Sequence, residues 1–522
     1  MFDLFHNLAL GFGVVFQFAD IKINFLGFSG TIPLPMNIFF CFMGALIGTL
    51  IGVLPGVGPV ATIAMLLPIT FGLPPVGGLI MLAGIYYGAQ YGGSTTSILV
   101  NLPGEASSVV TTLDGHQMAR QGRAGPALAI AAIGSFFAGC VSTVLVAALG
   151  LPLTGLALKF GPAEYFSLMV LGLVFAVVLA KGSIVKAIAM ILFGLLASMV
   201  GSDIETGQSR MAFNIPELSD GISFVVVAMG VFGFAEIIRN LEGGDEETRS
   251  IVASKVTGLM PTIPDLKASA GAILRGTVLG SILGILPGGG AVIAAFAAYT
   301  FEKKVSKDPS RFGKGAIEGV AAPESANNAA AQTSFIPLLT LGIPPNAVMA
   351  LMVGAMTIHG IQPGPQVMTK QPDLFWGMIS SMWIGNLMLV VINLPMVGLW
   401  VRLLRVPYRM MFPAILIFCN IGNYSINNAP FDVAMTALFG VVGYWLIKHD
   451  FEPAPMLLGF VLGPLMEENL RRAMLIARGD PSTFVTRPIS AGLLAVSLLL
   501  LVLAVLPMIR SKREVVFTES ET

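Results

Sequence analysis

Two runs of small polar side chains interrupt an otherwise apolar chain. The first is Tyr91-Gly-Gly-Ser-Thr-Thr-Ser-Ile-Leu-Val-Asn-Leu-Pro-Gly104; the second runs from Pro323 to Ser334 and on to Leu341-Gly-Ile-Pro-Pro345. Ser94, Thr95, Thr96, Ser97 and Asn101 supply hydroxyl and amide groups in the first run. Ser325, Asn327, Asn328, Gln332, Thr333 and Ser334 supply them in the second. Neither run contains Lys or Arg. Hydroxyls, amides and unwound carbonyls suit a hard cation such as Na⁺, and the free N–H groups of a restarting helix suit a carboxylate. These eleven residues are therefore the expected substrate-binding set, with the two runs read as broken helices meeting near mid-membrane. A helix N-terminus supplies only about half a unit of positive charge. A co-bound Na⁺ or H⁺ is thus expected near the same breaks, its ligands unassigned. A lone membrane Ser or Thr commonly bonds back to its own helix, whereas two adjacent asparagines in apolar surroundings point to a site. Glu105 and Glu324 flank the runs, and a capping role and a functional one stay open for both.

The elements that must position these groups carry an internal repeat. Residues 44–58 and 276–290 share the pattern G-x3-G-x3-G-x-L-P-G-x-G, displaced by 276 − 44 = 232 residues. Glycines four apart line one helix face and permit close approach. The Pro-Gly that follows must interrupt the helix. Pro55, Gly56, Gly58, Pro287, Gly288 and Gly290 are accordingly expected as hinges or helix breaks, with ligand contact and close packing both open there. Apolar runs predict membrane helices near 36–54, 126–150, 163–181, 184–200, 222–238, 268–286, 374–400, 410–426, 431–447 and 489–509. With the shorter pieces at 59–71, 76–92, 94–103, 291–301, 316–343, 346–360 and 454–465, this gives roughly 11–13 spans, some broken or re-entrant. The cluster Asn420, Asn423, Asn427 and Asn428 reads as a loop ending in an Asp432 cap.

Loop charge differs between the two copies. Gly72–Gly77 is uncharged, while its counterpart holds Lys303, Lys304, Lys307, Arg311 and Lys314; after the polar runs the first copy has Arg120 and Arg123 and the second only Lys370. Basic loops stay in the cytoplasm, so the copies read as inverted repeats, a secondary-transporter signature. The expected organisation is a first membrane half over 1–240, a polar connection over 241–267, a second half over 268–509 and a cytoplasmic tail over 510–522.

Composition sets the class. Of 522 residues, 55% are hydrophobic and 11% charged, and mean hydropathy is +0.83. A soluble domain carries about 25% charged residues, so an all-α polytopic membrane protein is expected. Formal net charge is zero, which gives no footprint for nucleic acid. Cys41, Cys140 and Cys419 form no metal or disulfide pattern. The polar stretches are too short for an enzyme domain, and no cofactor or secretory signal is expected.

Six stretches resemble the large membrane subunit of the tripartite tricarboxylate transporter family: 52–75, 86–125, 285–296, 318–346, 425–433 and 458–472. The segment around Lys22 to Ile32 is longer than that family's usual pattern. The resemblance implies a transport path in a bacterial inner membrane, working with a small four-helix membrane subunit and a periplasmic solute-binding protein. It implies uptake of citrate or another small carboxylate on an ion gradient, commonly Na⁺. The alternatives are a stand-alone carrier or exporter of another polar solute and, less in keeping with the residues, a membrane enzyme or scaffold.

Overall fold

The computed structural model describes the chain except residues 1, 26–27, 55–57, 158, 181–182, 204–205, 243–255, 257, 287–289, 405–407 and 506–522. Four expected hinge residues (Pro55, Gly56, Pro287 and Gly288), most of the polar connection and the basic tail therefore lie outside the described residues.

The described chain is almost wholly helical. Helix α1 (Phe2–Val15) leads through an antiparallel hairpin, β1 (Phe18–Phe25) and β2 (Phe28–Pro35), into α2 (Met36–Gly52), α3 (Pro59–Phe71) and α4 (Pro75–Val100). A helical segment over 106–120 precedes α5 (Ala124–Ala157), α6 (Pro162–Leu179), α7 (Ile184–Ser198) and α8 (Phe224–Glu242). The second half holds α9 (Ile263–Ile285), α10 (Gly290–Val305), α11 (Glu318–Thr333), α12 (Phe335–Leu341) and α13 (Ala347–Ile358). It continues through α14 (Pro372–Asn393), α15 (Tyr408–Asn427), α16 (Pro430–Lys448), α17 (Pro453–Ile476) and α18 (Pro488–Val505). Among the described residues five helices are long and apolar enough to cross a membrane alone, and seven more are apolar but shorter. The asparagine cluster is not a loop: Asn420 and Asn423 lie within α15, where Asn423 donates to Thr436 Oγ1 at 2.6 Å.

The repeat motif packs identically in both halves. A Cβ on Gly44, Gly48 or Gly52 would stand 2.2–2.4 Å from the carbonyl of Met81, Ile85 or Ala89 on α4. On Gly276, Gly280 or Gly284 it would meet the carbonyl of Ala322, Ala326 or Ala330 on α11 at the same separations. Only glycine permits such backbone contact. These faces join helices inside each half, α2 to α4 and α9 to α11. The opposite face of α9 presents Leu274, Val278 and Ile282, each more than half exposed, as lipid requires.

The contacts also fix which residues correspond. Met81 and Ala322 are displaced by 322 − 81 = 241 residues. The same displacement relates the left-handed residues that end the two helical stretches, Asn101 (φ 61) and Gly342 (φ 76). The paired Thr-Ser dipeptides, Thr96-Ser97 and Thr333-Ser334, would give 333 − 96 = 237 and are not equivalent in space. The two central helices cross antiparallel, because Ser94 reaches Glu324 while the earlier Tyr87 packs on the later Phe335. Helix α5 leaves the first half to pack on α11, and α14 leaves the second to pack on α4.

Helix α4 spans the molecule, about 39 Å at 1.5 Å per residue over its 26 residues. His359 stands by its first turns at Gly78, and His116 Nδ1 lies 3.2 Å from the Ile98 carbonyl at its last. At the His116 end the two basic connections touch, where Gln121 Nε2 donates to the Lys314 carbonyl at 2.8 Å. Asp114 Oδ1 accepts from the backbone N–H groups of Gly315 and Ala316, both at 2.8 Å.

Candidate functional site

The expected breaks lie elsewhere than the polar runs. Helix α4 continues through Gly92-Gly93 to Val100, because both glycines sit where neighbouring chain leaves no room for a side chain. Helix α11 likewise carries Pro323 without breaking and bends only at Ser334. Both helices are buried nearly all round, so protein rather than lipid surrounds their polar groups.

Most of the eleven side chains bond locally or across the core. Thr95 donates to the Tyr91 carbonyl, Thr96 to Val53 O at 2.7 Å and Ser97 to Ser108 Oγ at 2.9 Å. Thr333 and Ser334 donate to carbonyls of their own helix. Asn328 Nδ2 donates to Ser135 Oγ at 2.7 Å, and Asn327 Nδ2 to Glu105 Oε1 at 3.1 Å. Ser325 Oγ and both ends of the Gln332 amide are buried with no protein partner. Asn101 is exposed at the end of α4.

A cavity of about 310 Å³ opens one step beyond these helices. The two halves furnish corresponding walls. Gly58 and Pro59 begin α3, while Gly290 and Ala291 begin α10, related by 290 − 58 = 232. Glu105 starts the 106–120 segment and Asn346 starts α13, related by 346 − 105 = 241. Four helix starts thus meet around one space, completed by Ala176 and Ala180 beside α6 and by Glu452, Pro455 and Leu458 at α17. Of the expected site and hinge residues, Gly58 and Gly290 reach the lining, whereas the eleven polar ones lie behind it.

Asn346 escapes a reading of polar runs, being a single amide after Pro345. The usable signal is a capping residue directly before an apolar helix. Its Oδ1 accepts from Met349 N at 2.9 Å, which leaves the buried Nδ2 donor without a partner. That donor and the N–H groups of the helix starts together make a concentrated acceptor-binding surface. A second cavity of about 390 Å³ follows along α13 and α17, between Phe224, Gly354, Thr357 and Phe460, and continues toward the His359 end.

A polytopic helical membrane protein with paired half-structures around one shared cavity has the architecture of a membrane transporter. The chain belongs to the tripartite tricarboxylate transporter TctA family, whose profile matches residues 38–458. It is a tripartite-transporter membrane subunit, from a family of transporters. It is 60% identical over 521 residues to an uncharacterized 52.8 kDa protein in the TAR-I ttuC' 3'region of Agrobacterium vitis, with both chains covered fully. A second uncharacterized protein, from the TAR-II ttuC' 3'region of the same organism, is 66% identical over 242 residues, covering 46% of this chain and all of its own. No solved structure matches the chain.

Proposed function

We propose that the 310 Å³ cavity binds a small di- or tricarboxylate such as citrate and that the chain carries it across a bacterial inner membrane on a cation gradient. A periplasmic solute-binding protein and a small membrane subunit complete the system. The observation that carries this reading is the meeting of four helix starts, two from each half, beside the unpartnered Asn346 amide donor. The polar residues behind them, Asn327 foremost, hold the lining in place.

Charge supports coupling to a cation. Among the described residues the lining includes Glu105 and no Lys or Arg. Helix starts worth about half a unit each cannot by themselves offset a multiply charged substrate. A co-bound Na⁺ or H⁺ restores the balance and links substrate affinity to that cation reciprocally. The antiparallel crossing of α4 and α11 supports inverted halves, since a two-fold axis relating antiparallel helices lies across them, in the membrane plane. The two touching basic connections then face the cytoplasm, and the second cavity leads to the periplasm.

The test is citrate binding by the purified complex, measured over Na⁺ at fixed pH and over pH at fixed Na⁺. Affinity that tracks one cation is expected. Affinity indifferent to both would refute the coupled carrier.

A further inference from the structure

Glu324 lies in the core of the molecule, 1% exposed, away from the cavity lining. Both carboxyl oxygens touch hydroxyls: Thr111 meets Oε1, and Ser94 Oγ stands 2.5 Å from Oε2. The Ser94 hydroxyl also lies 3.0 Å from the Gln90 carbonyl, the usual acceptor for a helix serine four residues on. One hydroxyl has one hydrogen. If Ser94 donates to Gln90, the contact with Oε2 requires a hydrogen from the carboxyl group itself. A protonated Glu324 satisfies both Ser94 contacts and the Thr111 contact together. An ionised one takes the Ser94 hydrogen for Oε2, and the Gln90 carbonyl then keeps only its helix partner, the Ser94 N–H.

The surroundings point the same way. Glu105, from the segment that begins at the cavity, and Tyr91, from α4, are the titratable groups facing Glu324. Helix α5 offers Ser135, which contacts the Glu324 carbonyl at 3.5 Å. On α9 and α10, Arg275 is committed to Glu302 through contacts of 2.8 and 2.6 Å, and Tyr299 donates to Asp114. Among the described residues no cationic side chain bonds to Glu324. The neighbouring Ser325 and Tyr91 hydroxyls are buried without partners, so the pocket has polar groups free to follow a change at the acid. A buried charge without a counter-charge is strongly disfavoured.

We infer that Glu324 is a proton-binding site of the carrier, holding a proton at the crossing of α4 and α11 while substrate occupies the cavity beyond. The carboxyl takes up one proton on one oxygen and returns it as a carboxylate when the crossing opens to the other side. Asn327, one turn along α11, bonds to cavity-lining Glu105 and so connects the acid's helix to the substrate space. The coupling part of this inference rests on the carrier reading above; the proton site itself does not.

The experiment is infrared difference spectroscopy of the purified chain at neutral pH. The wild type should show the C=O stretch of a protonated carboxylic acid. Glu324→Gln should lose that band, and Glu324→Asp should shift it. A spectrum unchanged by Glu324→Gln overturns the assignment, as does a wild-type band abolished by Na⁺ at fixed pH, which would give the site to the metal cation. In proteoliposomes, citrate uptake driven by an imposed pH gradient should fall in Glu324→Gln to the level of protein-free vesicles. Uptake at the wild-type rate overturns the coupling. Citrate counterflow in the wild type reports separately on the carrier reading, and its absence would leave the infrared result standing.

Discussion

The side-chain amide of Gln121 donates to the backbone carbonyl of Lys314 across 2.8 Å, joining two connections that lie 193 residues apart. Both carry clustered basic residues, so the positive-inside rule assigns them to one side and the structure brings them into contact. Single cysteines at Lys307 and Gln121 should label together from the cytoplasmic face, and one at Gly72 from the periplasmic face. Reaction of the Lys307→Cys variant from the periplasm alone would contradict the inverted arrangement.

Glycine is required at the α9–α11 contact. A Cβ on Gly280 would stand 2.2 Å from the Ala326 carbonyl, and backbone on both sides cannot withdraw. Gly280→Ala should cost about 1–3 kcal/mol through overpacking, read as a lower unfolding temperature in detergent. Gly155→Ala, with nothing within 4 Å, is the control. It should be neutral or stabilising by about 0.5–1 kcal/mol, as for a helical glycine with open space beside it.

Asp114 ties the 106–120 segment to the entry of α11, accepting from Gly315 N, Ala316 N and the Tyr299 hydroxyl. Asp114→Ala orphans these donors, at about 1–3 kcal/mol for each one left without water. Asp114→Asn keeps one acceptor oxygen and should lose less. Equal unfolding temperatures for the two variants would refute this account.

Asn327 and Asn328 hold different partners, Glu105 beside the cavity and Ser135 on α5. Asn327→Ala should abolish citrate uptake with membrane insertion intact, because the Glu105 wall of the cavity loses its tether. Asn328→Ala should abolish uptake too, by loosening α5 from α11. Normal transport by both variants would show that neither tether is needed to hold the cavity.

Hydropathy made the outer helices legible, since lipid-facing segments such as Ile263–Ile285 and Pro430–Lys448 must be apolar along their length. It read α4 as two pieces, because Gly92, Gly93 and the hydroxyls beside them resemble a break unless the helix against them is known. The glycine motif made the pairing of α2 with α9 visible. The register between α4 and α11 was hidden, because Ala89 and Ala330 correspond through backbone contact and helix end, not side-chain identity. The site residues were legible as polar groups in an apolar chain, but their distance from the cavity depended on where each helix ended.

The exchange of α5 and α14 between halves dictates how the molecule is made. Ser135 on α5 waits for Asn328, 193 residues further along the chain, before its hydrogen bond can close. During synthesis the first half therefore enters the lipid with a polar stripe uncovered and stays immature until the second half emerges to cover it. A ribosome stalled near residue 300 would leave a nascent chain that insertion chaperones and membrane proteases recognise as unfinished.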